Sequence, residues 1–340
     1  MNASPDFGRL IVFALLIYLL AAFDAPDASA LIFASPKVEP TVEIPDDFPY
    51  WEHVTQRRYE GPTVLYLGDG WVLTARHVGL GEIFLDGELY LPSFGSARTL
   101  LNINGTAADM VVFRLALDAD LPDLPLLPLA SEPTRRGEEV ILIGFGRERA
   151  KVIEWDDGRR TRFGFEWTKS GHKRWGTNRV TSNHEILVQG QWTTHVLSFL
   201  FDPPHSPDAT DFESHAAVGD SGGAVFVKRE GVWLLVGMMT SVSSPRESLS
   251  GAAQYGDMTY AADISYYRSE LFRWTRAHCA NEEDDDGDGK IDFPLDPDCE
   301  DRRDQNERTG RRFSITSSWL AGLAGLGVLT LSIVGVRRAT

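Results

Sequence analysis

The chain has 340 residues, 43% of them hydrophobic and 24% charged. That is enough for a substantial core and about two folded units, and it is too apolar for a disordered chain. The formal charge of −16 argues against nucleic acid as a partner. The acidity is local, because residues 281–304 hold twelve acids against Lys290, Arg302 and Arg303. The only two cysteines, Cys279 and Cys299, bracket that stretch. A disulfide between them would close the acidic loop and leave the rest of the fold to its hydrophobic core.

In chain order, Leu10–Phe23 is an uncharged apolar run behind Arg9, short for a membrane span of about 20 residues. Ala28-Ser29-Ala30 follows with the small residues of a signal-peptidase site. Residues 1–30 are therefore expected to be a signal peptide, the alternative being an uncleaved anchor; export follows either way. Residues 31–54, with Pro36, Pro40, Pro45 and Pro49, read as a linker or pro-segment unable to build a core.

From about residue 55 to 262 short apolar runs alternate with Gly, Pro and Asp, among them Thr63–Leu67, Trp71–Thr74, Met110–Leu117, Val140–Gly144, Glu185–Gln189, Gly223–Lys228 and Val232–Met238. Such spacing predicts an all-β barrel or sandwich. A proline-rich connector, 121–136, splits the region into two halves, each long enough for a small barrel. Between Arg147 and Arg179 ten basic residues meet five acids, which reads as solvated loops between strands. In Ser265–His278 the positions Tyr267, Leu271 and Trp274 repeat at helical spacing, with Asp263 or Ser265 as cap.

Asp284-x-Asp286-x-Asp288-Gly289 opens the acidic stretch 279–305 like a calcium loop, with alternate carboxylates able to converge on one ion and a glycine at the turn. Asp292 and Asp296 are further candidate ligands. Leu295 stands where an EF-hand needs its bidentate glutamate, and no helical pattern flanks the loop. The alternative is a solvated acidic linker. After a linker at 306–316, residues 317–336 form an uncharged apolar stretch followed by Arg337 and Arg338 in a four-residue tail, 337–340. This is expected to be a membrane helix with the tail on the cytoplasmic side. Its layout also fits a sorting tail that a processing enzyme removes.

Three strings carry chemistry: Thr74-Ala75-Arg76-His77, Asp109 just before the apolar run Met110–Leu115, and Gly219-Asp220-Ser221-Gly222-Gly223. A serine hydroxyl needs a base, histidine can serve near neutral pH, and a buried carboxylate can orient the histidine. Glycines around Ser221 let the N–H groups of Gly219 and Ser221 point at one spot, as an oxyanion hole requires.

These strings, in the order His, Asp, Ser, resemble the chymotrypsin/trypsin-like serine peptidases over residues 55–278. The resemblance implies an all-β fold of two six-stranded antiparallel barrels with a C-terminal helix and a cleft between the barrels. It implies His77 as base, Asp109 as its orienter, Ser221 as nucleophile, Gly219 and Ser221 as oxyanion donors, and a protein or peptide substrate. The rival is an inactive surface-binding protein on the same scaffold. By position His215 belongs to the specificity pocket, where it would favour an acidic side chain or line a neutral pocket, and Thr240, Ser241 and Val242 would form the edge that pairs with substrate. No cysteine lies in the barrel region and no activation sequence precedes it, so Asp220 is expected to find an internal partner. The acidic segment is similar to thrombospondin type 3 calcium repeats, which implies structural Ca2+, with Cys279 and Cys299 closing the loop.

Overall fold

The computed structural model describes residues 30–35 and 41–307, apart from 59–60, 117–120, 123, 157, 160, 170–171, 244–250, 303 and 306. The expected signal peptide, the linker at 306–316, the membrane stretch 317–336 and the tail 337–340 lie almost wholly outside these residues. Among the described residues no helix is long and apolar enough to cross a membrane.

The first strand among the described residues is the two-residue β1 (Ile32–Phe33). A short 3-10 turn at Trp51–His53 leads into the first half: β2 (Val54–Arg57), β3 (Thr63–Gly68), β4 (Trp71–Thr74), β5 (Ile83–Leu85), β6 (Glu88–Tyr90), β7 (Arg98–Leu101) and β8 (Ala107–Arg114). They form one antiparallel sheet in the order β6-β5-β2-β3-β4-β8-β7. The expected closed six-stranded barrel is therefore corrected here to a seven-stranded sheet whose end strands, β6 and β7, are not paired with each other.

The second half holds β9 (Glu139–Gly144), β10 (Glu148–Asp156), β11 (Thr161–Thr168), β12 (Arg174–Gln189), β13 (Trp192–Leu200), β14 (Ser214–His215), β15 (Ala224–Arg229), β16 (Val232–Ser243), β17 (Ala252–Ala253) and β18 (Met258–Asp263). Here a six-stranded barrel does close, in the order β12-β13-β18-β16-β15-β9. β10, β11 and β17 make a separate small sheet. Glu230 and Gly231, both at positive φ, form the two-residue turn joining β15 to β16, a geometry matched to the twist of a hairpin.

The one α-helix among the described residues, α1 (Ile264–Thr275), follows β18 directly. Of the two candidate caps Asp263 takes the role: its carboxylate accepts from the N–H of Ser265 and Tyr266. The helix buries Ile264, Tyr267, Leu271 and Phe272. These join a core that draws on both halves, with Leu65, Leu73 and Met110 from the first sheet and Ile143, Phe226 and Met238 from the barrel.

The stretch expected as a linker or pro-segment is part of this body. Ala30, Leu31 and Ile32 are fully buried, and β1 pairs with β14. Phe48 and Trp51 enter the main core, and the buried Lys173 ammonium donates to the carbonyls of Trp51 and Val54. Prolines punctuate this segment without keeping Phe48 and Trp51 from the core, while Val42 and Ile44 stay exposed.

Candidate active site

Strand register brings the first two candidate residues together. β4 and β8 are antiparallel with Thr74 opposite Val111, so two residues further along Arg76 and His77 come beside Asp109. The Arg76 N–H donates to the Asp109 carbonyl. Both oxygens of the Asp109 carboxylate are then used on His77: Oδ1 accepts from the backbone N–H at 2.9 Å, and Oδ2 lies 2.6 Å from Nδ1. Asp109 is 1% exposed while the His77 side chain is 36% exposed. A buried carboxylate thus faces one ring nitrogen, which favours a proton on Nδ1 and leaves Nε2 free on the open side.

Thr194 on β13 accepts from the Asp109 N–H at 2.9 Å. Next to it Asn102 donates to the Thr193 carbonyl and accepts from the Tyr267 hydroxyl, which in turn accepts from the His195 N–H. This buried network ties the aspartate end of the first sheet to the barrel and to α1. Sequence reasoning missed it, because threonine, asparagine and tyrosine hundreds of ångströms apart along an extended chain carry no local signal.

Ser221 sits in the turn between β14 and β15. Gly219 and Gly222 have φ of +102° and +87°, the left-handed region that glycine tolerates. A Cβ on Gly222 would lie 2.0 Å from the Thr63 carbonyl oxygen, so close backbone approach also demands glycine there. Thr63 holds the turn from the other half, since its N–H and hydroxyl both donate to the Gly219 carbonyl and its Oγ1 accepts from the Phe145 N–H. Asp220 faces inward. Its carboxylate accepts from the N–H groups of Gly146 at 2.7 Å and Ala217 at 2.8 Å, so its internal partners are backbone amides. Burial without a cation pushes its pKa up to about 7.

His77, Asp109 and Ser221 line one cavity of about 370 Å³. Ser221 and His77 are not hydrogen-bonded to each other, a looseness common before substrate binds. Thr240, Ser241 and Val242 lie on the same wall, as expected for an edge facing the cleft. Gln189 and Trp192, which the sequence reading did not single out, also line it; the Gln189 amide donates to the Ser241 hydroxyl at 3.0 Å, and the Trp192 ring is 6.4 Å from that of His77.

His215 is the exception. It is fully buried behind the wall, its Nδ1 2.9 Å from the Thr259 hydroxyl and its ring stacked on Phe201. Burial pushes its pKa down to about 3, so the imidazole is neutral. The expected role of His215 in attracting an acidic side chain, or in lining the pocket at all, is corrected: the wall residues after it, Ala216 and Ala217, face the cleft instead.

The acidic segment is stapled by the Cys279–Cys299 disulfide and docked on α1 through Arg268 and Glu282. Carboxylate oxygens of Asp284, Asp286 and Asp288 converge, and those of Asp288, Asp296 and Asp298 form a second cluster that shares Asp288. Asp296 is buried, and one oxygen each of Asp296 and Asp298 is buried without a hydrogen-bond partner. Orphaned buried carboxylate oxygens of this kind fit a hard cation. Asp292 departs from expectation. Its two oxygens accept the N–H groups of Asn281 and Glu282, which makes it a scaffold for the loop, while Asp298 joins the converging set in its place.

No family model matches the chain, and no curated protein does. Solved structures do. The Rv3671c protease of Mycobacterium tuberculosis in an inactive form overlaps at a TM-score of 0.43 with 15% identity, over 71% of this chain and 100% of that one. Mouse neuropsin, described as a serine protease, overlaps at 0.45 with 17% identity, over 69% and 98%. Kallikrein-related peptidase 10, solved with Zn2+, overlaps at 0.42 with 15% identity, over 68% and 98%.

Proposed function

We propose that this chain is a serine endopeptidase that hydrolyses peptide bonds through His77, Asp109 and Ser221. The observation that carries the reading is the paired contact of the buried Asp109 carboxylate with His77 Nδ1 and N–H, in a cleft whose wall also holds Ser221. With Nδ1 protonated and held, Nε2 takes the proton of Ser221 Oγ as the oxygen attacks the substrate carbonyl carbon. The Gly219 and Ser221 N–H groups stabilise the negative oxygen that forms; losing one such donor typically costs about 3–4 kcal/mol of barrier stabilisation. The imidazolium then gives its proton to the leaving amine. Water, activated by the same Nε2, releases the acyl group and restores Ser221.

A fluorophosphonate probe tests this. Wild-type protein should be labelled at Ser221, and His77→Ala should abolish labelling while the melting temperature stays within a few degrees. A folded wild-type protein that resists the probe would refute the reading.

We place the enzyme outside the cytoplasm: residues 1–30 serve as its export signal and 317–336 tether it at the cell envelope or surface, until a tail-processing enzyme releases it. The acidic segment holds structural Ca2+ through Asp284, Asp286, Asp288, Asp296 and Asp298, neutralising carboxylates that otherwise repel one another. Calcium at a hundred times its dissociation constant should add about 2.7 kcal/mol to stability, read as a rise in melting temperature. Asp288→Asn with Asp296→Asn should remove that rise and the calorimetric heat of calcium binding. An unchanged response in the double variant would move the site elsewhere.

A further inference from the structure

Two pockets meet at His77, Val218 and Ser221. The first has been described. The second, of about 500 Å³, lies against Gly61, Pro62 and Val78 and carries Arg147 and Lys169, with no acid among the described residues of its wall. Both cations come from the basic stretch that the sequence alone presents as solvated loops.

Strand register explains their meeting. β10 and β11 pair with Glu148 opposite Thr168 and Arg149 opposite Trp167, so Arg147 and Lys169 flank the same open end of the hairpin, one residue beyond its last pair. Further along the same hairpin Lys151 is offset by Glu166 at 3.3 Å. Among the described residues neither Arg147 nor Lys169 has an ion pair. The backbone fixes Arg147 at the site: its N–H donates to the Val218 carbonyl at 2.9 Å, and the adjacent Gly146 N–H donates to Asp220. Two cations with no ion-pair partner among the described residues are therefore held at the mouth of the cleft, one residue from the groups that fix the Ser221 turn.

We propose that this pocket is a subsite for carboxylate side chains of the substrate, in the segment that follows the scissile bond. The assignment to that segment rests on the peptidase reading, in which the Thr240–Val242 edge receives the residues before the bond and the second pocket receives those after it. Arg147 and Lys169 act as specificity-determining residues. Being exposed, they attract by screened charge, so the preference weakens as salt rises.

The test uses the Ser221→Ala variant of the full chain and two fluorescent peptides that differ only in carrying Glu-Glu or Lys-Lys just after the bond. By fluorescence polarisation at low salt the Glu-Glu peptide should bind about tenfold more tightly, and the ratio should fall toward one in 0.5 M NaCl. Arg147→Ala with Lys169→Ala should erase the preference, and Arg147→Glu with Lys169→Glu should invert it. Equal affinity for the two peptides, binding of neither, or a preference that survives both double variants overturns the subsite. Because the variant does no chemistry, a wild-type protein inert to fluorophosphonate would sink the peptidase reading while an acidic preference in this binding assay still stood.

Discussion

Asp109→Asn should lower kcat on a peptide substrate by about 10⁴-fold, the size of effect that this substitution has in triads of the trypsin type. The reason lies in the two contacts that the carboxylate makes. Asp109 accepts from both the His77 N–H and Nδ1, and an amide offers only one accepting oxygen for two donors. If the asparagine oxygen keeps the backbone N–H, its amino group faces Nδ1, and Nδ1 must become an acceptor. The ring proton then moves to Nε2, where no base remains for Ser221. The side chain keeps its shape, and the Asp109 N–H can still donate to Thr194, so the fold should hold. Steady-state kinetics with a melting curve as control measure this; a variant within tenfold of wild type would show that Asp109 only holds the strand end.

The second large effect is on stability against pH. Asp220 and Glu213 are buried carboxylates whose pKa values burial pushes up to about 7, whereas His215 is pushed down to about 3. Between about pH 4.5 and 6.5 the folded state keeps protons on Asp220 and Glu213 that the unfolded chain has lost, which makes stability fall as pH rises. His215 works the other way, because the unfolded chain holds its proton over much of the same range. For these three groups the net is about one proton, or roughly 1.4 kcal/mol per pH unit, and His215 drops out near 6.5; burial lowers His53 and His195, which oppose the fall, and raises Asp263 and Glu307, which add to it. The ion-paired Glu138 and Glu282, with pKa values held down chiefly by hydrogen bonds from Arg229 and Arg268, act only below this window. The melting temperature should therefore be higher at pH 5 than at pH 7.5. Glu213→Gln should flatten the profile by about one proton's slope, and a melting temperature that climbs steadily from pH 5 to 7.5 would contradict the assignment.

Much of the site was legible because it is written locally. Thr74–His77, Asp109 before its strand, and the glycine turn around Ser221 each announce their backbone geometry within a few residues. The helix was legible for the same reason, through the spacing of Tyr267 and Leu271. What sequence could not show is whatever depends on distant partners. The clamp of Thr63 on Gly219, through its N–H and hydroxyl, and the support of Asp109 by the Thr194 hydroxyl join the two halves through single residues. His215 misled because its position in the chain matched a pocket floor, while only packing against Phe201 and Thr259 decides which way the ring faces. Residues 31–54 misled through their prolines, which mark turns and say nothing about whether the apolar residues between them find a core. Closure of the second half into a barrel, and of the first into a sheet alone, turns on which end strands meet, which no local pattern encodes.

The main core has a bearing on how the molecule holds together. Leu65, Leu73 and Met110 share one apolar interior with Ile143, Phe226, Met238 and the helix, while each half also keeps a cluster of its own, around Tyr66 and Phe113 in the first and around Leu197 and Phe199 in the second. A chain severed within the 121–136 connector would leave the shared cluster open to water in each fragment, so that cluster should re-form only on co-refolding. The cleft is accordingly a seam in one cooperative unit, and its two walls melt together.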